Sequence, residues 1–155
     1  MAARLLRRWF VLGLLLFPAL GAASARAELI VIASAHSAIG QLGRDEVINI
    51  YMGRYRRLAD GGIAVPYDLD AVSAERKAFY RLLLDKSLEE INAYWARLVF
   101  SGRTMPPFGL AGPEELLARI AADPHAIGYL DRQQLSRLER SGAARNVRVV
   151  FTLPD

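Results

Sequence analysis

Cysteine is absent from the 155-residue chain. That removes thiol nucleophiles, thiolate metal sites and disulfide staples together, so a folded state must rest on its apolar core. Histidine is scarce: only His36 and His125 occur, and they form no His-Glu-x-x-His pair of the kind that holds zinc. No Gly-x-Ser-x-Gly elbow is present to raise a serine nucleophile. Asp68 and Asp70 stand two apart, but the residues after them lack the glycine and terminal glutamate of a calcium loop. These absences point away from an enzyme and leave no basis for a metal or a cofactor. Long apolar runs are also lacking after the first 27 residues, so nothing there reaches the ~20 residues a spanning helix needs.

The N-terminus reads as an export signal. Arg4, Arg7 and Arg8 precede the apolar run Trp9 to Leu20, and Ala25-Arg26-Ala27 fits the small-x-small cleavage rule. Residues 1–27 are therefore expected to be removed, leaving Glu28 first and residues 28–155 as one periplasmic domain without stable membrane insertion. A membrane anchor is the alternative, but the run is short and carries Pro18. The charge follows the same division. The first 27 residues hold four of the 20 Lys and Arg and none of the 16 Asp and Glu, so the remaining 128 carry 16 of each sign. The net charge of +4 belongs to the leader and gives no argument for nucleic acid or an anionic surface. The local cluster Arg54-Tyr55-Arg56-Arg57 reads as a solvated loop.

Along residues 28–155, strand-like and helix-like patterns alternate, the signature of α/β layering. Leu29 to Ala33 is an unbroken aliphatic run, expected to be a strand buried on both faces. Ile63 to Tyr67, Ala126 to Leu130 and Asn146 to Leu153 are the other strand candidates. Helices are expected over Arg44–Tyr51, closed by Gly53, and from the cap Ser73 to about Leu84. A third opens on the capping box Ser87/Glu90 and runs to Phe100, with Ile91, Trp95, Leu98 and Val99 facing inward and Gly102 closing it. Pro113-Glu114-Glu115 opens a fourth, with Leu116, Leu117 and Ile120 facing inward, and Asp131 to Arg140 forms a short surface helix. Thr104 to Gly112 is expected to be a loop held extended by Pro106 and Pro107.

Three stretches carry a resemblance: Ile48-Asn49-Ile50-Tyr51-Met52-Gly53, then Tyr94 through Arg103, then Ala126-Ile127-Gly128-Tyr129-Leu130. In this order and spacing the chain resembles the phosphate-type substrate-binding proteins of bacterial ABC transporters, over Leu29 to Thr152. The nearest likeness is to short members of about one lobe. The resemblance implies one lobe of a type II periplasmic binding protein-like fold, with a mixed sheet flanked by helices. It also implies a small oxyanion such as phosphate as ligand, bound for uptake or sensing. Complete proteins of this kind hold the ligand between two lobes, so a single lobe calls for a periplasmic partner protein or self-association to complete the cleft.

The resemblance and the physics of helix starts together name the site candidates. Free N–H groups and the dipole make a helix N-terminus an anion site. Asp68 or Asp70 stands where the family places an acid, Ser73 stands at a helix start, and Arg76 is a planar donor suited to phosphate. The Gly-Ser-Gly-Thr character of the family loop is missing, and Glu75 adds negative charge at the mouth. Ser73 as a plain cap and Arg76 as a solvated helix residue remain the alternative. Ser34, His36 and Ser37 follow the first strand, where open α/β sheets place ligands, or else form a polar turn. Arg103 with Thr104 follows a helix-ending glycine, either reaching an anion or meeting the helix carbonyls. Tyr129 reads as core rather than ligand. Two functions stand open: a periplasmic oxyanion-binding lobe, and an interaction or adaptor module for a sensor or envelope complex that has lost the ligand.

Overall fold

Four strands and five helices follow from these patterns, and a fifth strand joins them. The computed structural model describes residues 28–154; the expected leader at 1–27 and its cleavage after Ala27 lie outside the described residues. The elements are β1 (Leu29–Ser34), α1 (Arg44–Tyr51), β2 (Val65–Leu69), α2 (Ala74–Leu84), α3 (Leu88–Phe100), β3 (Phe108–Leu110), α4 (Pro113–Ala122), β4 (Ala126–Asp131), α5 (Arg132–Arg140) and β5 (Val147–Thr152). They form one mixed sheet in the order β3-β2-β4-β1-β5. Strand β2 pairs parallel with β3 and β4, whereas β1 runs antiparallel to both of its neighbours.

Helices cover both faces of the sheet, and β1 shows why its sequence does not alternate with polar residues. Leu29, Val31 and Ala33 enter the core on one face with Tyr51, Phe79, Leu83 and Trp95. Ile30 and Ile32 enter the other with Leu116, Ile120 and Leu135. All six residues of β1 are buried, so both faces need apolar side chains. Gly128 in β4 belongs to the second face. A Cβ there would stand 2.1 Å from the Leu116 side chain, so glycine is what lets α4 lie close to the strand.

Local signals formed as their chemistry requires. The Ser73 hydroxyl accepts from the Arg76 N–H at 3.1 Å, and Ser87 and Glu90 close a reciprocal capping box. Gly53 and Gly102 adopt the left-handed conformation, with φ of 66° and 65°, just past the ends of α1 and α3.

Three expectations change. Strand β2 lies two residues later than Ile63–Tyr67 and so includes Asp68. The stretch Thr104 to Gly112 is not wholly loop: Phe108–Leu110 pairs with Tyr67–Leu69 as an edge strand. Val99 does not face inward; it is 43% exposed, and Ile91 and Trp95 are the residues of α3 that are buried.

Candidate functional site

Strands β2, β3 and β4 point the same way, and each ends at a helix start: α2, α4 and α5. Three helix N-termini therefore gather at one end of the sheet, where their free N–H groups and dipoles favour negative charge. A cleft of about 170 Å³ lies between them, lined by Leu69, Ser73, Glu75, Ala111, Gly112 and Gln134 among others.

The chain fills these positions with its own acids. The Ser73 hydroxyl donates to Glu75 Oε2 at 2.9 Å, and Gln134 Nε2 donates to Glu75 Oε1 at 3.4 Å. The Glu75 carboxylate thus spans the start of α2 and the start of α5. Asp131 caps α5, accepting from the backbone N–H of Gln133 and Gln134 at 2.8 and 3.2 Å. At α4, Glu115 accepts from the Ala111 N–H at 3.1 Å, and Pro113 at the first turn has no N–H to give.

Beside the cleft lies a buried polar cluster centred on Asp68, and Asp68, Arg76 and Asn92 line a separate groove of about 440 Å³ along α3. Its carboxylate accepts from Arg76 Nε at 2.8 Å, from the Tyr80 hydroxyl at 2.9 Å, from the Leu69 N–H at 2.9 Å and from the Tyr129 hydroxyl. Arg76 Nη2 adds a bond to Asn92 Oδ1 at 3.4 Å. Asp68 and Arg76 are both buried. The pair is neutral as a unit, so its positive member is not free for a ligand. Burial works to lower the Arg76 pKa, but the bond and charge of Asp68 outweigh it and leave it raised. Burial, and then the charge of Asp68, push the hydroxyl pKa values of Tyr51, Tyr80 and Tyr129 well up. All three stay neutral, and Tyr80 and Tyr129 remain donors to Asp68.

The expected site residues separate into three places. Asp68, Ser73 and Arg76 come together at the gathered helix starts, with Asp70 in the exposed turn between them, where it accepts from the Val72 N–H at 3.3 Å. Ser34, His36 and Ser37 do not join them. Because β1 is antiparallel to β4, its C-terminal end lies beside Ile127 at the start of β4, at the opposite end of the sheet. There Ser34 and Ser37 are turn residues, accepting from the His36 N–H at 3.3 Å and the Ile39 N–H at 2.9 Å. Arg103 and Thr104 do not line the cleft either. The Arg103 N–H closes α3 on Leu98 O at 3.1 Å, and Thr104 packs beside Gly53. Sequence reasoning did not anticipate Tyr80, Asn92 and Gln134, which reach the site from positions fixed only by folding. Tyr129 is core, as expected, yet its hydroxyl also serves Asp68.

No family model and no curated protein matches the chain. Solved structures do. The chain is similar to an ABC-type phosphate transport receptor from Vibrio cholerae, with 13% identity and a TM-score of 0.57 over 80% of this chain and 45% of that one. It is similar to PstS from Borrelia burgdorferi, with 16% identity and a TM-score of 0.59 over 80% and 46%. A putative phosphate ABC transporter substrate-binding protein from Clostridium perfringens with bound phosphate gives 12%, 0.55, 83% and 56%. The chain spans about half the length of these proteins, and at such identities the likeness is one of fold. The chain has the fold of one lobe of a type II, phosphate-type periplasmic binding protein.

Proposed function

We propose that this chain is a periplasmic, substrate-binding-protein-like lobe that acts as an interaction or adaptor module, its oxyanion cleft occupied by its own Glu75. The observation that carries this reading is the Glu75 carboxylate bonded to Ser73 and Gln134 among the three helix starts. A phosphate entering there meets a like charge, which costs energy. Arg76 does not offset that cost, because Asp68 already neutralises it.

A second reading is capture of phosphate or a similar oxyanion for uptake or sensing. The convergence of helix starts and the phosphate-transport structures of the same fold favour it. It requires Glu75 to leave the cleft or take up a proton.

Calorimetric titration with phosphate, sulfate and molybdate separates the two, run on the native protein and on Glu75→Gln. On the first reading the native protein gives no heat and no melting shift at millimolar anion. Glu75→Gln, which keeps the shape and removes the charge, gains a phosphate-dependent melting shift. A ligand at 100 times its dissociation constant raises stability by ~2.7 kcal/mol, so a silent melt is informative. Tight binding by the native protein overturns the adaptor reading and establishes the second.

A further inference from the structure

Helix α3 turns a solvent-exposed stripe outward, made of Glu89, Asn92, Ala93, Ala96, Val99 and Phe100. Successive turns of the helix contribute these residues three or four apart, so they share one face. Phe100 is 95% exposed, a large aromatic standing free at the end of the stripe. Beside it runs a largely apolar groove of about 440 Å³, edged by Phe100 itself, walled by Trp95, Val99, Pro106 and Pro107, and reaching Ala71, Asn92 and the Asp68–Arg76 pair. Val72, next to Ala71, is 90% exposed. A projecting apolar side chain and an apolar groove on one face make that face self-complementary, which is the requirement of a twofold interface.

We propose that this face pairs with a second copy of the chain about a twofold axis at Ala96, with α3 antiparallel to its mate. Charge selects this occupant. Glu89 and Glu90 stand at the start of α3 and Arg103 lies in the turn beyond its end, and among the described residues Glu89 and Arg103 make no ion pair. Glu89 lies seven positions before Ala96 and Arg103 seven positions after it in the sequence. Antiparallel pairing at Ala96 therefore brings the acidic start of α3 in each copy to the end of α3 in the other, where Arg103 lies in the turn beyond Phe100. The small side chains of Ala93 and Ala96 allow close approach near the axis. Phe100, four residues past Ala96, falls over Asn92 of the second copy, four residues before it, where the groove opens toward Ala71 and Val72. Antiparallel helices also place opposite dipole ends together. The interface lies on α3 and needs no particular state of the Glu75 cleft, so the anion titration reads one proposal and particle mass reads the other.

Sedimentation velocity over a concentration series tests the pairing on the purified protein. A dimer is expected, and Phe100→Asp weakens it at least about tenfold, the scale of a central interface anchor. Because Phe100 is exposed, the variant keeps the urea melt of the native protein at concentrations where both are monomeric. Glu89→Arg also weakens the dimer, and Glu89→Arg combined with Arg103→Glu restores it, an outcome that a folding defect does not produce. Trp95 is the only tryptophan outside the first 27 residues and lines the groove, so its emission shifts with concentration in the native protein and not in Phe100→Asp. A monomer throughout the series overturns the proposal. So does a dimer indifferent to Phe100→Asp and to both charge variants.

Discussion

At the scale of single residues, Asp68 organises the most connected polar cluster in the described structure. A carboxylate inside the protein is tolerable only with its charge balanced and its lone pairs filled. Here one arginine balances it, and two tyrosine hydroxyls with a backbone N–H fill it. The tyrosines make the arrangement sensitive to alkali. Their folded pKa values are raised, first by burial and then by Asp68, so the folded state holds their protons more tightly than the unfolded state does. Stability from this source is complete below the unfolded tyrosine value of about 10 and is lost as pH rises beyond it. Each pH unit above that value costs up to ~1.4 kcal/mol for each tyrosine still held protonated. Urea melts between about pH 9 and 11 are expected to show falling stability, with a shallower slope in Tyr80→Phe because one titrating group is gone. Lys86, whose pKa is raised by its bond to Glu90, titrates in the same region. The difference between native protein and Tyr80→Phe removes that contribution, and equal slopes would show that Tyr80 is not held protonated by folding.

At the scale of elements, what was legible in the sequence is what local chemistry decides. The Ser73 and Ser87 caps, Pro113 at a first turn and the glycines after α1 and α3 act within a few residues of themselves, so their effects could be read directly. Strand β3 could not. Its three residues have no helical or alternating pattern, and pairing with β2, some 40 residues earlier, makes them a strand. The direction of β1 was equally hidden, and with it the placing of Ser34, His36 and Ser37 at the wrong end for the cleft. Asp68, Ser73 and Arg76 were legible as neighbours because they lie within nine residues, whereas Tyr80, Asn92 and Gln134 join them from three helices. That Gly128 lies against α4 is decided only by folding. Gly128→Ala drives a methyl into Leu116 and is expected to cost ~1–3 kcal/mol in urea melts. Leu116→Ala alone leaves a cavity costing ~2–5 kcal/mol. The double variant should cost less than the two single losses added together, because the new methyl enters the emptied space. Strict additivity would mean that β4 and α4 do not meet at this point.

At the scale of the whole molecule, the chain distributes its charge unevenly. Residues 28–155 hold equal numbers of acids and bases, and the excess positive charge lies in the first 27. An export leader carries such an asymmetry, and the folded lobe has no need of it. The expected cut after Ala27 would leave the whole described fold in place. Glu28 takes part in it: its carbonyl accepts from the Arg132 N–H at 2.9 Å and its carboxylate pairs with Arg132 Nε. Strand β1 starts at the next residue and is buried at once. A chain beginning one or two residues later would lose Glu28 or start inside the core. No helix among the described residues is long and apolar enough to cross a membrane. On the reading of residues 1–27 as an export leader, mass spectrometry of a periplasmic extract is expected to give a single form beginning at Glu28. On that reading Glu28→Ala should leave the cut in place, since Ala25 and Ala27 meet the small-x-small rule, while loosening the hold on Arg132. Intact chain in the membrane fraction would instead make Trp9 to Leu20 an anchor, and the lobe would then work tethered to the membrane.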